Sequence, residues 1–88
     1  MTKKNINLSV IVPLFNEEKT LIQILNQIKY LEKFCNLEIL LVNDGSTDKS
    51  KEILLDNQHL ITKTIHLNKN FGKGKAIIEG LKNCTGDY

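Results

Sequence analysis

Three apolar runs alternate along the chain with three stretches of helical period. The most uniform run is Ile39-Leu40-Leu41-Val42, bounded by polar residues. That is the pattern of a strand buried on both faces, as in a parallel sheet. An earlier run, Leu8 to Leu14 with Val10, Ile11 and Val12 at its centre, predicts a first strand. Pro13 marks that strand's end or an irregular edge, because it cannot donate a ladder hydrogen bond. A third run, Leu60 to Leu67, is rich in β-branched residues but more polar, which suits a strand at the sheet edge. Between the first two runs Leu21, Ile24, Leu25, Ile28 and Leu31 recur at helical spacing, with lysines and glutamines opposite them. This helix is expected to start at an Asn16 N-cap, to use Glu17 and Glu18 against its dipole, and to fade near Phe34 to Asn36. A shorter helix is predicted over 48–56, capped by Ser46 or Thr47, with Ile53, Leu54 and Leu55 as its apolar face. A third carries Lys73, Ala76, Ile77, Gly80, Leu81 and Cys84 on one stripe and ends at a Gly86 cap. Small residues at Ala76 and Gly80 would let it approach a sheet closely. Residues 1–6 read as a loose polar lead-in.

Strands alternating with amphipathic helices make an α/β unit, βαβαβα, with a parallel sheet and right-handed crossovers. Composition narrows this further. With 88 residues, 41% hydrophobic and 25% charged, the chain holds one domain at most, small for an α/β enzyme. A net charge of +2 makes no electrostatic case for nucleic acid as a partner. No apolar run approaches the roughly 20 residues of a membrane span. The stretch after Lys3 and Lys4 holds Pro13 and ends in acids, so a signal peptide is not expected. Cys35 and Cys84 are a single distant pair, read as packing thiols of a reducing compartment. His59 and His66 have no recurring partner spacing and are read as structural.

The three loops that follow the strand tips are PLFNEE, NDGSTD and NKNFGKGK. In a parallel sheet all three lie at the carboxyl edge, where open α/β sheets bind ligands. That edge would hold Glu17, Asp44 and Asp48, the aromatic ring of Phe15, and the lysines Lys73 and Lys75. A nucleotide needs such groups: acceptors for base and ribose, an apolar surface for the ring, cations for phosphates. Each has a plainer reading. Glu17, Glu18 and Asp48 also suit helix starts, Asp44 could order its turn, and the lysines could be a solvated face. The glycine spacing of FGKGKA does not make a phosphate-binding P-loop, and the first loop lacks the glycines of a dinucleotide fingerprint.

SVIVPLFNEEKTL, EILLVNDGSTDKS, NKNFGKGKAIIEG and TGDY, in this order and spacing, resemble the N-terminal part of a family 2 glycosyltransferase of GT-A fold. The GKG-x-A segment is most similar to the branch that transfers mannose or glucose to polyprenyl (dolichyl) phosphate. The resemblance covers residues 9–88 and implies a partial Rossmann-like unit with strands in order 3-2-1. The whole chain, 1–88, would be an N-terminal fragment of such a domain. It implies an inverting transfer from a UDP- or GDP-sugar donor, with polyprenyl phosphate as a candidate acceptor at a cytoplasmic membrane face. Pro13, Phe15 and Glu17 would line the base and ribose pocket, and Asp44 would contact the base. Gly72 and Lys73 would lie near the diphosphate. Asn43 stands where the family usually has an aspartate. The family's Mg²⁺ or Mn²⁺ is held by a D-x-D motif on a fourth strand beyond Tyr88, so no metal ligand and no catalytic base are expected here. The fragment alone is then expected to be inactive and to self-associate through its exposed first strand. A stand-alone nucleotide-binding module, or an interaction protein using the lysine-rich loop, are the alternatives.

Overall fold

The chain runs β1 (Asn7–Leu14), α1 (Leu21–Lys29), β2 (Asn36–Asp44), α2 (Ser50–Asp56), β3 (Lys63–Leu67) and α3 (Lys73–Asn83). These bounds come from a computed structural model that describes residues 6–88. Most of the polar lead-in, residues 1–5, lies outside the described residues. Short 3₁₀ turns at Tyr30–Lys33 and Gln58–Leu60 bridge helices to the strands that follow.

All three strands are parallel, in the order β1-β2-β3, the predicted order read from the other side. β2 is central, which is why Ile39, Leu40, Leu41 and Val42 are all buried. The two flanking strands are only partly buried. Side chains alternate across the sheet. Leu14, Ile39 and Leu41 therefore face one way and pack with Leu21 and Leu25 of α1, Leu54 of α2 and Leu60. The opposite face takes α3, where Ala76 and Gly80 are buried. A Cβ on Gly80 would come within 2.5 Å of Ile11 Cγ2, so the close helix approach read from the sequence is real.

After α3 the chain returns to the open side of β1. Ser9 N donates to Tyr88 O at 2.9 Å and Tyr88 N to Asn7 O at 3.2 Å, a parallel ladder step opposite Leu8. Odd-numbered residues of β1 thus turn their backbone away from β2. Pro13 is one of them, so its missing N–H costs no bond to β2. Glu38 ties this return in place. It accepts from Ser9 Oγ at 2.6 Å, Thr85 N at 2.8 Å and Thr85 Oγ1 at 3.0 Å. Gly86 belongs to the same seam: a Cβ there would meet Ser9 Oγ at 2.5 Å and Asn7 O at 2.9 Å. It is therefore not the cap of α3, which ends in an extended Cys84.

Other local expectations shift as well. α1 begins at Leu21 rather than near Glu17, because Glu17 O closes a turn with Thr20 N and Leu21 N. α2 begins at Ser50, held by Asp48 Oδ1 at 2.8 Å from Ser50 N, and neither Ser46 nor Thr47 caps it. β3 is shorter than its apolar run, since Leu60 folds inward in a 3₁₀ turn. Leu55, Ile77 and Leu81 are exposed instead of core-facing. Cys35 is buried, Cys84 is partly exposed, and neither is in a disulfide.

Candidate functional site

The loops after β1, β2 and β3 converge at the carboxyl edge of the sheet. Between them lies a cavity of about 320 Å³ lined by Pro13, Leu14, Phe15, Glu17, Asp44, Asn70, Gly72 and Lys73. All six residues singled out from the sequence, Pro13, Phe15, Glu17, Asp44, Gly72 and Lys73, are among them. Strand parity explains part of this. Pro13 pairs with Val42, so Pro13, Val42 and Asp44 share the α3 face of the sheet. Asn43 takes the opposite face, where its Nδ2 lies 3.1 Å from His66 Nδ1 and its Oδ1 accepts from Ser46 N. Burial, with the Lys51 charge as a smaller contribution, lowers the pKa of His66, consistent with a structural role.

Asp44 is 3% exposed, and both its oxygens are engaged. Oδ1 accepts from Phe71 N at 2.8 Å and Oδ2 from Gly72 N at 2.9 Å. The tip of β2 therefore grips the turn that leads into α3 and places Lys73 over the cavity. A carboxylate offers about four acceptor directions, and these two bonds use half of them. Gly45 lets the two loops touch. Its φ is +71°, and a Cβ there would lie 2.4 Å from Lys69 C. Gly72 has φ +99°, a conformation a side chain rarely adopts. At the rim, the rings of Phe15 and Phe71 are exposed, and Lys69 Nζ sits 5.1 Å from the Phe71 centroid.

Glu17 borders the cavity with Thr20 Oγ1 donating to its Oε2 at 3.1 Å. Asp48 does not join it. Its Oδ2 accepts from Glu18 N at 3.2 Å and its Oδ1 from Ser50 N, so it is spent on joining loops. Lys75 also turns away, 3.2 Å from Glu79. One residue of the cleft, Asn70, and one beside it, Asn16, have roles that the sequence reading missed. Asn70 lines the cavity and accepts from Gly72 N through Oδ1 at 2.8 Å. Asn16, expected to cap α1, instead bonds the loop after β2. The Asn70 contact is an Asx turn, which an asparagine two residues before a glycine could have suggested; the Asn16 contact has no local pattern to reveal it.

Among the described residues no group of three or more His, Cys, Asp or Glu side chains converges. No helix among them is long and apolar enough to cross a membrane. The edge presents two acids, Glu17 and Asp44, the exposed Phe15 ring and Lys73 around one cleft. Open α/β sheets bind ligands at such a carboxyl edge.

The fold is an α/β unit with a cleft at the carboxyl edge of its parallel sheet. Residues 9–88 match the model of Glycosyl transferase family 2, and the chain belongs to that family. It is 38% identical over 88 residues to an undecaprenyl-phosphate 4-deoxy-4-formamido-L-arabinose transferase of Proteus mirabilis (strain HI4320), a match covering 90% of this chain. The chain spans only 26% of that relative's length. Among solved structures, S. aureus TarS 1–349 superposes with a TM-score of 0.73 at 30% identity, covering 90% of this chain and 24% of that one. The mannosyltransferase PcManGT of Pyrobaculum calidifontis, solved with GDP-Man and Mn²⁺, superposes with a TM-score of 0.75 at 24% identity. That match covers 93% of this chain and 25% of the other, and it speaks for the fold. The GT-A-type βαβαβα unit and the glycosyltransferase class expected from the motifs are thus both met.

Proposed function

We propose that this chain is the nucleotide-sugar-binding half of an inverting family 2 glycosyltransferase. The observation that carries the reading is the convergence of Pro13, Phe15, Glu17, Asp44, Gly72 and Lys73, from three separate loops, on one cleft. Pro13 and the Phe15 ring supply an apolar wall for a base. Glu17 and Asp44 supply acceptors for base N–H and ribose hydroxyls. Lys73, at the start of α3, supplies a cation for the donor's diphosphate.

The donor is a UDP- or GDP-sugar. Polyprenyl phosphate is the acceptor, in line with the undecaprenyl-phosphate transferase among the relatives, and it sets the reaction at a cytoplasmic membrane face. Transfer needs the charge of the leaving diphosphate neutralised, and in the complete enzyme Mg²⁺ or Mn²⁺ does so. With Glu17 and Asp44 assigned to the base and ribose, the cation's ligands would come from elsewhere in the enzyme. Residues 1–88 alone should bind the donor nucleotide but not transfer its sugar, and their open β1 edge favours pairing with another strand.

Titration calorimetry of the chain against UDP, GDP and adenosine diphosphate tests the reading. Saturable binding of UDP or GDP, lost in Lys73→Ala, is the expected result. A chain that is folded and binds none of them would refute it. A radiolabelled sugar-transfer assay to polyprenyl phosphate should show no turnover with or without Mn²⁺; turnover would mean these acids do form a catalytic site.

A further inference from the structure

The loop after β1 and the turn after β2 are sewn together by a seam that the donor reading does not use. Asn16 is its centre. It is the one non-glycine residue with positive φ among the described residues, at +52°. Asparagine tolerates this left-handed conformation better than most residues. Its Oδ1 accepts from Thr47 N at 2.7 Å and Asp48 N at 3.2 Å, and its Nδ2 donates to Thr47 Oγ1 at 3.3 Å. Its own N donates to Ser46 Oγ at 3.0 Å. The seam continues on both sides. Glu17 N donates to Oγ of the fully buried Ser50 at 3.1 Å, Glu18 N to Asp48 Oδ2, and Lys49 N to Glu18 Oε1 at 3.3 Å.

Asn16 does not border the cleft, but both its neighbours, Phe15 and Glu17, do. The β2 turn that it grips begins at Asp44 on the far side of that cleft. One side chain therefore sets where the Phe15 ring and the Glu17 carboxylate stand relative to Asp44. The backbone N–H groups it satisfies lie just ahead of α2, where no intrahelical carbonyl can reach them.

We propose that Asn16 is the positioning residue of the cleft: its amide clasps the β2–α2 turn and holds Phe15 and Glu17 at the spacing a nucleotide requires. This rests on the donor-site reading above.

Three variants separate the clasp from general folding. Asn16→Gly keeps the left-handed backbone but loses the acceptor. Asn16→Asp keeps both the backbone tolerance and an acceptor oxygen. Asn16→Ala loses the acceptor and adds backbone strain. With UDP and GDP as probes in titration calorimetry, Asn16→Gly should bind about tenfold more weakly, Asn16→Asp within about twofold of the parent chain, and Asn16→Ala at least as weakly as the glycine variant. Hydrogen exchange on the unliganded chain should speed up at the Thr47 and Asp48 amides in Asn16→Gly and not in Asn16→Asp. Rescue by aspartate in both measurements supports the clasp. Unchanged nucleotide affinity in a folded Asn16→Gly chain, or equal losses in the aspartate and glycine variants, overturns it while leaving the donor site standing. A parent chain that binds neither nucleotide overturns the donor reading, and the positioning role with it.

Discussion

Replacing Asp44 by alanine removes the carboxylate that joins the tip of β2 to the turn before α3. Two hydrogen bonds vanish, from Phe71 N at 2.8 Å and Gly72 N at 2.9 Å. Bonds to a charged acceptor contribute about 1.5–3 kcal/mol each when buried. Asp44 is buried, but Phe71 and Gly72 are exposed, so water can partly re-satisfy the Phe71 amide, and Gly72 N keeps Asn70 Oδ1 at 2.8 Å as an acceptor. The lower end applies, and the expected loss is about 2–4 kcal/mol for the pair. In a domain of this size each kcal/mol lowers the melting temperature by about 4–8 °C. Asp44→Asn keeps one acceptor oxygen and points an NH₂ at the other amide, so it should lose about half as much. The loop it releases carries Gly72 and Lys73, so nucleotide affinity should fall in the same order, alanine more than asparagine. Thermal unfolding followed by circular dichroism gives the first ranking, and calorimetric titration with UDP or GDP the second. An alanine variant that melts with the parent chain would refute the anchoring role. Unchanged nucleotide affinity in that variant would remove Asp44 from the site.

Three further outcomes follow from the packing. Gly86→Ala places a methyl group against Ser9 Oγ, Ser9 N and Asn7 O, so backbone must move; urea unfolding should show a loss of about 1–3 kcal/mol, and no loss would contradict the close approach. The Ser9 hydroxyl, with the Thr85 amide and hydroxyl and Lys63 behind it, holds the Glu38 carboxyl below its ordinary range against a smaller effect of burial. A depressed carboxylate pKa stabilises the fold above the unfolded value, about 4.3, and that contribution fades as pH falls through the folded value. The stability gap between the parent chain and Glu38→Gln should therefore be constant near neutrality and shrink below about pH 4; a pH-independent gap would exclude the linkage. Finally, Asp87 and Tyr88 cover only the start of the open β1 edge, and the alternation of the ladder leaves Ile11 facing the same way. Light scattering after size exclusion should show concentration-dependent self-association, and a monomer at all concentrations would count against an adhesive edge.

Much of this architecture was legible in the amino-acid sequence, because it depends on short-range pattern. An unbroken apolar run can be satisfied only where both sheet faces are covered, so Ile39 to Val42 announces the central strand. The acid and glycine that end it, Asp44 and Gly45, announce a functional turn, and a strand–helix alternation brings the tips of all three strands to one edge. Phe15, Glu17, Asp44 and Lys73 could be chosen for that reason, whereas Pro13 and Gly72 came from the resemblance to family 2 glycosyltransferases. Other assignments needed the tertiary structure. Whether Asn43 or Asp44 faces the cleft depends on sheet register, which a single strand does not state. Asn16 and Asp48 look like helix caps in isolation, yet each finds partners some 30 residues away. Gly86 looks like a helix stop but is small because β1 passes against it. Leu55 and Leu81 fit apolar stripes and remain exposed. In each case the deciding contact is a hydrogen bond or a close approach between segments distant in sequence. Such contacts leave no periodicity to read; they exist only once the sheet has brought the loops together.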